Sequence, residues 1–380
     1  MKEFFEVNIG LANKDKIATI NINETLPLPD KNLLLKWYQE DIEKDQEGEE
    51  KKKDYYYATA IMPGYENVRN LSSEEAWKVF NYKNTGEEGQ RVMASHINNN
   101  SPTLLLPLQA GVCPYNCKAC PFARNFPANE GKKTKMIGVQ EARVLIQQSL
   151  KQAEENNIDI SNIGISFVGS GDATPNPYLE EIFQMITTEF PNVLRVRFST
   201  VAANPPAGRL TPMQVVAKII SDPNYRGQPE ISMQVSVHNT DENERAAYVF
   251  DQKLHSPEVL SGEINFTVED AKEKLLPLNK VALQFEQIVE AQRKRGFEKI
   301  RKPTLTFVCT KDTKIDIEAL KNYGFNKENT VIQLRPILSE DSKDCMSEEI
   351  FSSLYNKLGF AGYDVVLMPV SPSGVELKTG

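Results

Sequence analysis

From about residue 103 onward the chain alternates between two periodicities, and this alternation limits the available folds more than any other feature of the 380 residues. Short apolar runs rich in β-branched residues ("TLLLPLQAG", "IGISFVGSG", "VLRVRFSTVA", "ISMQVSVHNT", "TLTFVCTKD", "TVIQLRPIL") are separated by longer amphipathic segments. Those segments include "VQEARVLIQQSLKQAEEN", "NPYLEEIFQMITTEF", "TPMQVVAKIIS", "VALQFEQIVEAQRKRG", "IDIEALKNYG" and "SEEIFSSLYNKLG". Strands that are apolar on both faces, each followed by a helix, predict an α/β fold with a parallel sheet and helices outside it. An open doubly wound sheet and a barrel both satisfy the pattern. The barrel is favoured because residues with chemical potential fall at the C-terminal ends of several different strands.

The first hundred residues read differently and are expected to form an α+β accessory region (1–100) beside a core at 101–380. Candidate strands are "FFEVNIGL", "KIATININ" and "YYYATAIM", and "SSEEAWKVFNY" is a candidate helix that Ser72 or Ser73 can cap. The charge-dense "EDIEKDQEGEEKKKDYYY" between them reads as an exposed loop or linker. Within the core, residues 241–280 replace a short connection by a long insertion. Its length suits a lid or substrate-binding element, and equally a packing role.

Three of only five cysteines, Cys113, Cys117 and Cys120, crowd into the loop after the first core strand, in "QAGVCPYNCKACPFARNFP". A structural zinc site needs four ligands, usually in two pairs. The other candidates here are His96 upstream and Cys309 far downstream. A redox dithiol would use two of the three thiols and lacks a thioredoxin-like setting. The Cx3Cx2C spacing suits an iron–sulfur cluster held by three cysteines, with one iron open to a substrate or cosubstrate.

These residues resemble the signature of the radical SAM superfamily. The resemblance implies a partial (β/α)6 barrel and a [4Fe–4S] cluster whose open iron chelates S-adenosylmethionine (SAM). It also implies an external flavodoxin- or ferredoxin-like electron donor. In that family an electron from the cluster cleaves SAM to methionine and a 5′-deoxyadenosyl radical, which abstracts hydrogen from an organic substrate. Many members carry an aromatic residue before the third cysteine, where this chain has Ala119; Tyr115 and Phe122 are the nearby aromatic alternatives. "FVGSGDATPNP" resembles the family's "GGEP" segment, which implies that Gly169, Gly171 and Asp172 contact SAM, with Asp in place of Glu. "FSTVA" and "SVHNTDENER" are similar to segments of the radical SAM adenine-C2 methyltransferases that act on ribosomal and transfer RNA. That similarity is patchy over residues 103–375 and carries SAM-contact roles to Ser199, Ser236 and His238.

Two departures separate the chain from that group. The first core strand has leucines where the group has a resolving thiol, and the chain ends at "GVELKTG", where the methyl-carrying cysteine segment would follow. Cys309 reads as a small buried apolar residue, and Cys345 falls in a polar loop; neither matches the positions of that group's thiols. The expected function is therefore hydrogen abstraction from an organic substrate of unidentified class, whether small molecule, nucleotide or peptide. RNA adenine methylation is the alternative, and a cluster-binding scaffold the non-enzymatic one.

A net charge of −8 gives no overall attraction to nucleic acid. The basic runs "GKKTK" and "QRKRGFEKIRK" are expected to be solvated faces or helix C-termini. No run of 18 apolar residues suggests a membrane span. The sparse, odd cysteine count and the lack of a signal-peptide pattern in "MKEFFEVNIGLANKDK" point to a reducing cytoplasm.

Overall fold

The computed structural model describes residues 5–7, 18–21, 33–44, 50–62, 69–81, 103–106, 108–110, 113–115, 117–118, 135–155, 157–167, 171–336, 345–367 and 376–378. For the strands before residue 63 and after residue 375 it gives the backbone alone.

Seven strands form one parallel sheet: β5 (Thr103–Leu105), β8 (Gly164–Phe167), β9 (Arg195–Thr200), β10 (Glu230–Ser236), β11 (Thr304–Cys309), β12 (Val331–Pro336) and β13 (Asp364–Leu367). Six lie in the expected runs. β13, in "YDVVLMPV", is a seventh that the unit count omitted because no helical segment follows it. Spatial order follows chain order without reversal. Crossovers of one hand moving always in one direction place every connecting helix on the same face. A doubly wound sheet would instead show a switch in strand order. The topology is therefore that of a partial barrel.

The helices are α1 (Ser73–Phe80), α2 (Val139–Glu155), α3 (Leu179–Glu189), α4 (Pro212–Ser221), α5 (Glu242–Val249), α6 (Asp251–Leu254), α7 (Pro257–Leu260), α8 (Val268–Glu273), α9 (Leu278–Lys294), α10 (Ile317–Tyr323) and α11 (Glu348–Phe360). Local sequence sets their starts. Ser72 and Thr211 make capping boxes with Glu75 and Gln214, and Pro212 follows Thr211 at the first helical position. Gly324 ends α10 in the left-handed conformation that favours glycine there.

Alternation along the strands sends one set of side chains to the helices and the other to the opposite face. Leu104, Ile165, Phe167, Val196, Phe198, Val235, Phe307 and Leu334 join the helices in one apolar core. At its centre Phe198 packs against Phe167 and Phe183, with ring centroids 4.6 and 4.5 Å away. The opposite face is polar. It carries Ser166, Arg197, Ser199, Gln234, Ser236, Thr306 and Gln333, and Thr306 Oγ1 donates to Gln333 Oε1 at 2.9 Å.

The charge-dense segment expected to be a loop is largely strand. β3 (Leu33–Lys44) and β4 (Glu50–Met62) form an antiparallel hairpin, and β4 extends the sheet by pairing with β5. Their register sets Asp41 opposite Lys53, Glu43 opposite Lys51 and Lys44 opposite Glu50. Opposite charges in register favour pairing, and composition alone could not show that. Helix α1 packs at the far end of the sheet, where Phe80 and Trp77 meet Phe351 of α11 at 4.3 and 5.6 Å.

Candidate functional site

The cysteine loop leaves the C-terminal end of β5. A two-residue antiparallel ladder between β6 (Gln109–Ala110) and β7 (Lys135–Met136) closes its base. Asn176 reinforces this closure, its side-chain amide donating to the carbonyls of Leu108 and Ile137 at 2.8 and 3.0 Å. Cys113 and Cys117 are both half-buried and pack against one small apolar cluster. Cys120, Phe122 and Gly169 lie outside the described residues.

That cluster comes mainly from the 241–280 insertion. Tyr115 is buried edge-on against Phe250 at 5.8 Å, with Val201, Val249 and Phe266 around it. Burial raises the Tyr115 phenol pKa, and the negative charges of Asp172, Cys113 and Cys117 raise it further. The tyrosine hydroxyl, the carboxylate and two thiols therefore share one small region. The insertion therefore packs against the described part of the cysteine loop.

Helix α5 ties the insertion to two strand ends and to the cysteine loop. Arg245 is fully buried, and its guanidinium donates to the carbonyls of Val201 at 2.9 Å and Leu276 at 2.8 Å. Tyr248 stacks on the His238 ring at 4.2 Å, and its carbonyl accepts a hydrogen bond of 3.0 Å from the Lys118 amide. One turn of helix thus joins the end of β9, the end of β10 and the cysteine loop. Sequence reasoning gave no role to Arg245 or Tyr248. The available signal was an arginine in an otherwise acidic helix start, "DENER".

Two residues just past the ends of adjacent strands adopt left-handed backbone without being glycine: Ala202 (φ 55°) after β9 and His238 (φ 68°) after β10. Each costs roughly 1–2 kcal/mol. Such strain gathers where the surrounding structure fixes an unusual geometry for function. His238 is buried, and among the described residues its Nδ1 has no hydrogen-bond partner. Burial pushes its pKa down to about 3, with Arg245 and Arg335 adding repulsion, so the ring is neutral. Ser199 and Ser236 lie half-buried on the inner face of β9 and β10, at the same end of the sheet.

Asp172, to which the resemblance gives a SAM contact, is buried in the turn after β8. One carboxylate oxygen accepts from Thr174 N at 2.8 Å and Thr200 Oγ1 at 2.9 Å; the other accepts from Val201 N at 2.7 Å. Burial raises its pKa while these bonds lower it, with burial the stronger influence. Its principal visible work is to clamp the turn after β8 to the end of β9. Gly171 lies half-buried beside it.

Cys309 is fully buried in the main core, and burial pushes its thiol up to about 12. Cys345 is half-buried, and its backbone bridges Thr310, one residue past the end of β11. The basic run at 292–302 is absorbed structurally: Arg293 pairs with Glu290, and Arg301 with Glu230. Among the described residues, no helix is long and apolar enough to cross a membrane.

No model of a known protein family matches the chain, and no curated protein matches it. Among solved structures it is similar to a radical SAM methyltransferase from Sphaerobacter thermophilus, at 12% identity over 87% of this chain and 76% of that one, with a TM-score of 0.47. It is also similar to Streptococcus suis SuiB bound to S-adenosylmethionine, at 14% identity over 82% of this chain and 69% of that one, TM-score 0.39. SuiB bound to the precursor peptide SuiA gives 12% identity over 77% and 55%, TM-score 0.40. These likenesses are distant, and the functional reading below rests on the site's own residues.

Proposed function

We propose that the protein is a radical SAM enzyme. The observation that carries this reading is the Cx3Cx2C loop at the C-terminal mouth of a singly wound parallel sheet, with its described thiols beside one buried, capped cluster. Cys113, Cys117 and Cys120 would hold a [4Fe–4S] cluster. The donor set fits, since three thiolates satisfy three irons and leave one for a cosubstrate. When bound, the cluster supplies the electron that cleaves SAM.

The chain's own residues perform the remaining tasks. Ser199, Ser236 and His238 face SAM from the ends of β9 and β10. The neutral His238 ring offers a hydrogen-bonding nitrogen without adding positive charge next to a sulfonium. Tyr115, with Phe250 and Phe266 around it, keeps water from the cysteine loop. Asp172 and Arg245 fix the end of β9, so that Ser199 keeps its position. Gly171 belongs to the same rim, in the turn after β8.

The test is an anaerobic reaction of the reconstituted protein with dithionite and SAM. Slow release of 5′-deoxyadenosine and methionine supports the reading; no cleavage by a cluster-loaded protein rejects it. Methyl transfer to unmodified RNA, with a methyl group found on Cys345, would instead select the methyltransferase alternative.

A further inference from the structure

We propose that the inner face of the sheet grips an anionic group of the substrate through Arg197, so that the substrate is a carboxylate or a phosphate. This inference rests on the radical SAM reading, whose substrate it narrows.

Arg195, Arg197 and Ser199 alternate with the apolar residues of β9 and therefore share its inner face. Arg335 occupies the inner face of β12, three strands away. The sheet brings these cations within electrostatic reach: Arg195, Arg301 and Arg335 all repel the Arg197 guanidinium. Together with burial, the larger cause, they push its pKa down to about 10, still far above neutrality. Arg197 is thus a half-buried charged group with other arginines around it.

What neutralises that charge is not in the chain as described. Arg301 is paired with Glu230. Arg197 makes no hydrogen bond or ion pair with any described residue, and no acid offsets its repulsion by the neighbouring arginines. A strand interior favours β-branched or aromatic residues, and an uncompensated guanidinium away from water is destabilising. β8 also yields space to this face. Gly164 lies directly opposite Arg195, and a Cβ there would come within 2.9 Å of the Arg195 Cγ.

Grouped arginines at some cost to stability are suited to oxyanions, because the planar guanidinium donates two parallel hydrogen bonds to a carboxylate or phosphate. Ser199 lies two residues further along the same face, about 7 Å by strand rise. An anion on Arg197 would therefore leave several bonds of substrate between its charged end and the mouth where SAM is placed. Perturbed charges within a concave face are a mark of functional sites.

The test is equilibrium dialysis of the full-length, anaerobically purified protein at low salt against labelled inorganic phosphate and, separately, labelled succinate. Wild type should bind at least one probe saturably at one site per chain, phosphate alone indicating a phosphorylated substrate and succinate alone a carboxylate. Arg197→Met should weaken binding by about tenfold or more, the loss of a charge-assisted pair. The exposed Lys280→Met should leave it unchanged. Should Arg197→Met fail to fold, Arg197→Lys carries the test, because it keeps the charge but loses the two-pronged geometry; a drop of about threefold or more is expected. No saturable binding to wild type, undiminished binding in the Arg197 variants, or an equal loss in Lys280→Met overturns the proposal. SAM cleavage is scored separately. Cleavage without anion binding sinks this inference alone, whereas anion binding without cleavage sinks the radical SAM reading and leaves an anion site.

Discussion

The two faces of the parallel sheet follow opposite rules. On the helix side, Phe198, Phe167, Phe307 and Leu334 are almost wholly excluded from water and join helices whose starts are capped. On the inner side, serines, glutamines and arginines occupy the same strands, and at the mouth two non-glycine residues hold left-handed backbone. A buried histidine nitrogen there lacks a partner among the described residues. The first face supplies stability, and the second draws on it. This difference shows where the chain departs from what folding alone would select, and the departures converge on the cysteine loop.

Substitutions can break or sharpen that contrast. The largest effect belongs to the helix side. Phe198→Ala should cost about 3–5 kcal/mol, the usual loss when a buried aromatic leaves a cavity, read as a lower urea midpoint. A small effect would mean that the helix-side core is not the source of stability. The pH response of His238 comes next. Its folded pKa is near 3, against about 6.5 in the unfolded chain. Its contribution is therefore complete above pH 6.5 and is lost as pH falls from there toward 3, at up to about 1.4 kcal/mol per pH unit. Stabilities of wild type and His238→Asn from urea unfolding, compared between pH 6.5 and 5, should diverge by about 1.6 kcal/mol; asparagine tolerates the left-handed backbone. Parallel pH profiles would show that the ring is not held neutral. The smallest stability effect is expected at Ser236→Ala, within about 0.5 kcal/mol of wild type. SAM binding by that variant should weaken by about 1–3 kcal/mol, the cost of leaving a buried polar partner unpaired. Calorimetry showing the reverse, a destabilised protein with normal SAM affinity, would make Ser236 a structural residue.

The helix-facing side was legible in the sequence because period-2 and period-3.6 patterns report directly on burial. Six strands, their helices and a serine cap at residue 72 or 73 could be read from local residues. The β3–β4 hairpin could not. Glu43 and Lys51 look like solvated charge until a register sets them opposite each other. The cysteine spacing was equally local, and so was the placing of Ser199, Ser236 and His238 at strand ends. What joins them was hidden. Arg245 reaches carbonyls more than thirty residues away in both directions, and Asp172 spends its carboxylate on the end of β9. Such long-range bonds leave no periodic trace. The polarity of the inner face was hidden too, because strands such as "VLRVRFSTVA" read as apolar runs until alternation assigns Arg195 and Arg197 to one side.

The central claim is that Cys113, Cys117 and Cys120 hold a [4Fe–4S] cluster at the mouth of this barrel. The most direct measurement is iron content with the visible absorption spectrum, taken on anaerobically reconstituted wild type and single-cysteine variants. The account predicts about four irons per chain for wild type, from the composition of the cube, and the same for Cys309→Ser and Cys345→Ser. Each of Cys113→Ala, Cys117→Ala and Cys120→Ala should lose the cluster while keeping the fold. An iron-free wild type, or a folded Cys309→Ser variant that loses its iron, would contradict it.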